Sequence, residues 1–498
     1  MAGFEDKPNG TRRKLIWAMV AGGLTQGCGG GGDSQANPTH PPTGQHPAPL
    51  PVGASGPSLT TLSQNTIYIA HRGSAALYPE HTFEAYDLVL GSKQLIFESD
   101  VQTIRDNTLV LMHDLTVDRT TTSSGAVANF TEAEWRMLNI DANSWHGSRF
   151  ENNLKAPTFR DWVQRYRGKV VFVPEDKDLR STAQMISVFN EAGVSKDQVL
   201  FQAFSLDPLR RAVQAGYHAC FLHLGQPNPE DALRAGVRWA GIGKMAADSD
   251  ILRWVNSGVK TLVWTVNRRA ERDAKLKLGV VGFFSDDPTY LAAEEPLSSV
   301  DKFDEQTWMP GMLSNNVEDA HLSGRGRFLG APYWGYATDT AGYLGCLQGY
   351  LGPIKGKGAD LQSFDLELTI NFDSAFESDQ RRWASVFLAK DDVAFTDTAD
   401  ASVGYHVLFR KSGQIEVYRK LQQAPALLLQ GTNGSPILDR QGVRYQISVS
   451  STLLKVARIR DDGVLASILE VRELMPKLNY VHLGRKGLAC RFSKLSIA

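Results

Sequence analysis

Residues 95–114, LIFESDVQTIRDNTLVLMHD, contain two apolar runs joined only by QTIRDNT, and the nature of that join decides the fold. Two parallel strands need a crossover of about a dozen residues or more, so this pair has to be an antiparallel hairpin. Asp106 and Asn107 supply its turn. Between residue 67 and about residue 295 the chain holds nine short runs rich in β-branched and aromatic residues: IYIAH, LIFESDV, LVLMHD, KVVFVPEDK, VLFQAF, ACFLHL, RWAGIGK, TLVWTVN and GFFSDD. Amphipathic stretches such as TFEAYDLVLGS, TFRDWVQRYRG, DPLRRAVQAG and DILRWVNSG separate them and carry the Gly that favours a helix C-terminus. Strand and helix in alternation predict βα units around a parallel sheet. With LVLMHD assigned to the hairpin, eight strands remain, the number of an eightfold (TIM-type) α/β barrel. The hairpin then leaves from the C-terminal end of the second strand, the end at which such barrels carry their sites.

The rest of the chain has a different texture. The segment FDLELTINFD places Phe364, Leu366, Leu368, Ile370 and Phe372 on one face and Asp365, Glu367, Thr369 and Asn371 on the other, the pattern of a half-buried antiparallel strand. YHVLFRKSGQIEVYRK predicts a hairpin around Ser412 and Gly413, and a later segment turns at Asp462-Gly463. An all-β sandwich is the economical reading. At the other end, Arg12, Arg13 and Lys14 precede LIWAMVAGGL, which has the length of a signal-peptide apolar region and is too short to span a bilayer. The expected organisation is a signal peptide over 1–28, a Gly/Pro-rich disordered linker over 29–60, the barrel over 61–298 and the sandwich over 299–498.

The 53 basic and 54 acidic residues nearly cancel, leaving a formal charge of −1 and no broad footprint for nucleic acid. TRRKLIW resembles a twin-arginine export signal, although two arginines in a basic leader read equally well as coincidence. LTQGC resembles a bacterial lipobox, with Thr25 where Leu is preferred. Export from a bacterial cell is expected, either as a membrane-anchored lipoprotein through lipidated Cys28 or as a periplasmic or secreted protein after cleavage. Cys220, Cys346 and Cys490 have no metal-ligand spacing; Cys346 and Cys490 share the later region and could pair in an oxidising compartment.

Glu98 and Asp100 lie two apart on one strand, and Glu175 and Lys177 repeat that spacing on the next barrel strand. Residues two apart share a face, so the barrel mouth would gather three carboxylates and a lysine. Like charges at ~5 Å repel by roughly 3 kcal/mol at an effective dielectric of about 20, so the cluster calls for a cation or shifted titration. All-oxygen donors suit Ca²⁺ or Mg²⁺. His71 ends the first strand and His113 the hairpin, giving two imidazoles for acid and base work, with Arg72 and Lys177 as anion binders. One strand-end histidine is usually structural; coincidence at all of these strand ends is a much poorer explanation. A metal, two cations and two histidines make a site for phosphoryl transfer.

AHRG, PEHT, FESDV, LVLMHD, DRTT, APTF, PEDK, WTVN and GVVGFFSDDP, in this order and spacing, resemble the glycerophosphodiester phosphodiesterase family over residues 67 to about 295. The resemblance implies an eightfold α/β barrel that hydrolyses glycerophosphodiesters to glycerol phosphate and an alcohol with a divalent metal. It implies that His71 and His113 are the acid/base pair, that Arg72 and Lys177 hold the phosphate, and that Glu98, Asp100 and Glu175 hold the metal. Trp264 resembles an aromatic lining the substrate pocket, although a packed barrel tryptophan fits the position as well. There are departures: the family's Pro-Glu-Asn-Thr is Pro79-Glu80-His81-Thr82 here, its Asp-Gly turn is Asp106-Asn107, and Pro174 precedes Glu175, which puts the local strand pairing in doubt. Two other readings stay open. One is a phospholipase D-like enzyme acting on lysophospholipids or sphingomyelin, though such enzymes generally lack the HRG and PEHT pair. The other is a surface glycan-binding protein with the barrel as scaffold. The later region resembles concanavalin-like and laminin-G-like sandwiches in strand pattern, and Trp334, Tyr336 and Tyr343 could stack on sugars.

Overall fold

The computed structural model describes residues 56–75, 78–142 and 153–293, and, from 326 to 497, a set of strands with some of their connecting turns. The leader, Cys28 and most of the linker lie outside the described residues, as do Trp334 and Tyr343. Tyr336, Cys346 and Cys490 lie on strands whose side chains are likewise outside the description.

The nine runs form strands β1 (Ile67–Ala70), β2 (Ile96–Thr103), β3 (Leu109–Leu111), β4 (Val171–Asp176), β5 (Leu200–Ala203), β6 (His218–His223), β7 (Trp239–Gly243), β8 (Lys260–Trp264) and β9 (Gly282–Ser285). Their order in the sheet is β1-β9-β8-β7-β6-β5-β4-β2-β3, and pairing of Ala70 with Phe97 joins β1 to β2 and closes the barrel. Eight strands run parallel, while β3 is antiparallel to β2, with Val101 opposite Leu111 and Thr103 opposite Leu109. The hairpin is therefore where the short join requires it. Asn107 takes the left-handed conformation of the turn, φ 65°, which asparagine tolerates.

Alternation along each strand divides the core. Ile67, Ile69, Ile96, Val171, Val173, Leu200, Cys220, Leu222, Leu262 and Phe284 fill the lumen, and Leu59, in the short helix α1 (Leu59–Leu62), joins them. The intervening residues, among them Phe97, Phe172, Phe201 and Phe283, pack outward against the helices. Helices α2 (Phe83–Gly91), α4 (Phe159–Tyr166), α5 (Leu206–Gln214) and α6 (Asp248–Asn256) occupy the amphipathic stretches. Gly168, Gly216 and Gly258 have positive φ after three of them, but after α2 the left-handed residue is Lys93 and not Gly91. Pro174 does not break β4: Ser99 pairs with Pro174 and Asp100 with Glu175. On the β5 side, where Pro174 has no amide to give, the ladder narrows to Glu175 with Gln202 and a bridge from Phe172 to Val199. Between β3 and α4 the chain makes an excursion with its own small core of Ile104, Val110, Met112, Val117, Trp135 and Ile140. It includes α3 (Glu132–Met137), whose N-terminus is closed by a reciprocal Thr131–Glu134 capping pair.

The C-terminal part contains two antiparallel sheets. One is ordered β10 (Gly326–Leu329), β11 (Gly335–Thr338), β22 (Cys490–Ile497), β13 (Phe364–Phe372), β18 (Gly442–Val449), β19 (Leu453–Ile459) and β20 (Leu465–Arg472). The other is ordered β12 (Cys346–Pro353), β21 (Tyr480–Lys486), β14 (Trp383–Ala389), β15 (Gly404–Phe409), β16 (Ile415–Lys420) and β17 (Leu427–Thr432). A single core unites them, with Phe364, Leu366, Leu368 and Ile370 of β13 meeting Val386 and Leu388 of β14 and Val407 of β15. The expected hairpins turn at Gly413 and Gly463, both at positive φ. Among the described residues no helix is long and apolar enough to cross a membrane.

Candidate active site

The lumen columns that begin apolar end polar. On β2 the inward sequence is Ile96, Glu98, Asp100, and on β4 it is Val171, Val173, Glu175. Glu98, Asp100 and Glu175 are buried and offer carboxylate oxygens within 4.8 Å of one another. Burial and the neighbouring Asp100 charge push Glu98 and Glu175 up to about 7. Burial also works against ionised Asp100, but Arg72, His81 and Lys177 outweigh it and hold Asp100 well below the usual carboxylate range. Arg72 Nε lies 3.2 Å from Asp100 Oδ2, and Lys177 Nζ lies 3.1 Å from Glu175 Oε1 and 3.4 Å from Asp100 Oδ1. Gln202 Nε2 donates to Glu98 Oε1 at 3.0 Å, while its own Oε1 is buried with no hydrogen-bond partner. The three close carboxylates form an all-oxygen donor set that fits a hard divalent cation, and the unpartnered amide oxygen belongs to a residue bonded to one of them.

Arg72 is aimed by an unusual turn. After β1, Arg72, Gly73 and Ser74 are successive left-handed residues, with φ 54°, 79° and 73°. For the two non-glycine residues this costs about 1–2 kcal/mol each. At Gly73 a Cβ would also come within 3.1 Å of the Ala85 Cβ, so any side chain there would be both strained and tightly packed. Hydrogen bonds hold the turn: the Arg72 amide donates to Glu98 Oε2 at 2.8 Å, and Ser74 Oγ donates to the Asp286 carbonyl at 2.9 Å.

Each proposed catalytic histidine is backed by an aspartate. His71 Nδ1 lies 2.6 Å from Asp286 Oδ1, and Asp286 is fixed by Asn267, whose Nδ2 donates to Oδ2 at 2.8 Å. His113 Nδ1 lies 2.6 Å from Asp114 Oδ1. A carboxylate at Nδ1 selects the tautomer that carries its proton there and leaves Nε2 to accept or deliver one. Burial and Arg72 lower the titration of His71, but Asp286 outweighs them and the net movement is upward. Burial dominates at His113 and moves it downward. Neighbouring groups driven apart in this way are the pattern of an acid/base pair.

Trp264 closes an inward column above Leu262. Its Nε1 donates to the Gly241 carbonyl at 2.9 Å, and its ring meets Phe204 edge-on at 5.8 Å. Gly241 lies beneath the indole: a Cβ there would come within 2.6 Å of Leu222 Cδ2 and 3.3 Å of Trp264 Cδ1.

Residues 71–290 match the model of the Glycerophosphoryl diester phosphodiesterase family. The barrel belongs to this family. A glycerophosphodiester phosphodiesterase of Bacillus subtilis is 26% identical over 264 residues, covering 48% of this chain and 89% of the relative. That of Caldanaerobacter subterraneus is 27% identical over 238 residues, 45% of this chain and 96% of the relative. Among solved structures, an Oleispira antarctica phosphodiesterase in complex with the product sn-glycerol-3-phosphate is 22% identical, covers 46% of this chain and 96% of its own, and has a TM-score of 0.42.

In this glycerophosphoryl diester phosphodiesterase barrel the structure brings Arg72, Glu98, Asp100, Glu175 and Lys177 into one cluster. His71 and His113 stand within electrostatic reach of its carboxylates, and Trp264 stands on the β8 column of the lumen. The departure at His81 is accounted for: its Nε2 lies 3.0 Å from Asp100 Oδ2, its Nδ1 3.1 Å from the Tyr86 hydroxyl, and Tyr86 donates to the Glu98 carbonyl at 2.7 Å. Sequence reasoning assigned no role to Asp286, Asn267, Asp114, Glu80, Arg119 or Gln202. Asp286, Asn267, Asp114, Glu80 and Arg119 sit inside the quoted motifs, which was the available signal; Gln202, in VLFQAF, had only its strand-end position.

Proposed function

We propose that the barrel hydrolyses glycerophosphodiesters to glycerol phosphate and an alcohol, using a divalent metal held by Glu98, Asp100 and Glu175. The observation that carries this reading is the convergence of that carboxylate trio with Arg72, Lys177 and two His–Asp pairs at the mouth of a barrel of this family. Arg72 and Lys177 bind and orient the phosphodiester. One of His71 and His113 removes the proton from the attacking oxygen, and the other delivers a proton to the leaving alcohol oxygen. The attacking oxygen belongs to water, or to a glycerol hydroxyl that forms a cyclic phosphate. A bound Ca²⁺ or Mg²⁺ supplies charge neutralisation at the phosphoryl oxygens. The deciding experiment is turnover of glycerophosphocholine with and without a chelator, in wild type and in His71→Ala and His113→Ala. Near-wild-type turnover by either variant, with metal present, would remove that histidine from the mechanism.

A lysophospholipid substrate is the second reading, favoured by one observation. Phe204, Leu224 and Met245, after β5, β6 and β7, are 47%, 72% and 88% exposed at the catalytic end of the barrel. Phosphorus NMR of the products from glycerophosphocholine and from lysolipid separates the two, because the phospholipase D-like route releases a cyclic phosphate. The segment readings support an exported enzyme, tethered through Cys28 by the 29–60 linker, with 299–498 as an accessory sandwich. Loss of membrane association in Cys28→Ser, and glycan-array binding by the full chain and a Tyr336→Ala variant, test these roles.

A further inference from the structure

Arg119 has no part in the assignment of substrate and metal ligands, yet its guanidinium joins the two sides of the site. Its Nε and Nη2 donate to Asp114 Oδ2 and Oδ1 at 2.6 and 3.2 Å, and Asp114 Oδ1 is also the partner of His113 Nδ1. Its Nη1 and Nη2 donate to Glu80 Oε2 and Oε1 at 2.9 and 2.7 Å, and Glu80 Oε1 lies 3.7 Å from Arg72 Nη1. Both carboxylates are engaged by two nitrogens of one planar fork, a geometry that an ammonium group cannot reproduce. The loop that carries Arg119 is itself anchored. The Val117 amide donates to the Gly125 carbonyl, Thr121 amide and Oγ1 both donate to the Val117 carbonyl, and Val117 is buried in the excursion's own core.

We propose that Arg119 is a positioning residue that locks the acid/base imidazole of His113, through Asp114, at a fixed place relative to the phosphate-binding guanidinium of Arg72, held through Glu80. This rests on the functional reading above for the roles of His113 and Arg72. The need for such a lock follows from topology. Arg72 follows β1, inside the closed barrel, whereas His113 follows β3, the terminal strand of the sheet, which pairs with β2 and touches the segment before α4 through a bridge from Val110 to Thr158. Barrel strand β2 holds the backbone around His113, where Gln102 Nε2 donates to the Met112 and Asp114 carbonyls at 2.7 Å, but these bonds leave the His113 and Asp114 side chains free to turn. Asp114 alone would orient the His113 ring but could turn with it, since the two residues are adjacent. Arg119 ties that aspartate to Glu80, on the loop after β1, and so fixes the His113–Asp114 side chains against the other side of the site.

The test has one arm without substrate and one with it. In the full-length protein labelled at the histidine ring nitrogens, long-range ¹H–¹⁵N spectra should show His113 as a single tautomer protonated at Nδ1, and Arg119→Gln should convert it to an exchanging mixture at an unchanged melting temperature. Displacing a reacting group by about 1 Å costs on the order of 10²-fold. With glycerophosphocholine, Arg119→Gln should therefore lower kcat by about 10- to 100-fold, and in a His113→Ala background the same substitution should cost nothing further. Arg119→Lys, which keeps the charge and loses the fork, should show the same mixed tautomer, and it replaces the glutamine variant if that one melts early. An unchanged His113 tautomer in a folded Arg119 variant, or an equal loss of kcat in both backgrounds, overturns the proposal. If the wild type turned over no glycerophosphodiester, the functional reading would fail while the ring-nitrogen spectra still decided the lock.

Discussion

The lower and upper halves of the barrel lumen are built from the same strands, with the same two-residue period, for opposite purposes. Ile69 is followed inward by His71, Ile96 by Glu98 and Asp100, Val173 by Glu175, Leu262 by Trp264, and Phe284 by Asp286. Below, apolar side chains from neighbouring strands meet and exclude water, and any well-fitting set would serve. Above, the same columns point polar groups at one another under burial that would be unfavourable without their partners. Stability and chemistry are thus separated by one inward step, about 7 Å along a strand.

The separation is most easily broken on β2. Ile96→Ala empties part of the buried lower lumen and should cost about 2–5 kcal/mol of stability, while the fraction that remains folded keeps its turnover. Glu98→Gln, one inward step above, preserves volume and should leave the fold standing. It should lower kcat/KM by about 10³-fold, corresponding to roughly 4 kcal/mol of lost transition-state stabilisation. Denaturant melts and initial rates on the same two preparations check both claims. Equal loss of turnover per folded molecule in both variants would erase the distinction between the halves.

The pH dependence of stability sharpens the comparison. Burial and Asp100 raise Glu98 from 4.5 to about 7, so in the metal-free protein the folded state keeps a proton that the unfolded chain has already released. This contribution is fully present below about pH 4.5 and is lost as the pH rises through about 7. The metal-free wild type should therefore lose melting temperature relative to Glu98→Gln across that window. Added Ca²⁺ or Mg²⁺ should restore it, more strongly toward the alkaline side, because metal and proton compete for the same oxygens. Parallel melting curves for the two proteins with pH would show that the Glu98 proton is not held by the fold.

The two halves also differed in how far they could be read from the sequence. The β-strands, the hairpin and the apolar columns followed from period and loop length, because those constraints are local. The carboxylates followed from i, i+2 spacing together with the family resemblance. The partners of the histidines did not. His71 and Asp286 are 215 residues apart and meet only because barrel closure sets β1 beside β9. Arg119 and Glu80 are 39 residues apart and meet only because the excursion folds back over the mouth. Local spacing carries no information about such contacts.

His81 gives the smallest and most discriminating prediction, because it belongs to the upper half in position but departs from the family in kind. Its backbone is left-handed, φ 57°, and its amide donates to the Arg72 carbonyl at 3.0 Å, so it helps to close the loop that presents Arg72. Asparagine tolerates that conformation, and its side-chain amide takes the place of the imidazole Nδ1 beside the Tyr86 hydroxyl; the Nε2 contact with Asp100 is lost, but Arg72 and Lys177 keep that carboxylate paired. His81→Asn should therefore change stability by less than about 1.5 kcal/mol, the worth of one hydrogen bond, and turnover by less than about threefold. His81→Val fits neither requirement. It places a β-branched residue at positive φ and sets no polar atom beside either the Tyr86 hydroxyl or Asp100, so it should be clearly worse on both measures. If Asn proved as damaging as Val, the imidazole would be contributing something that no amide supplies, and the substitution at this position would have to be counted as part of the chemistry and not as a neutral exchange of one donor for another.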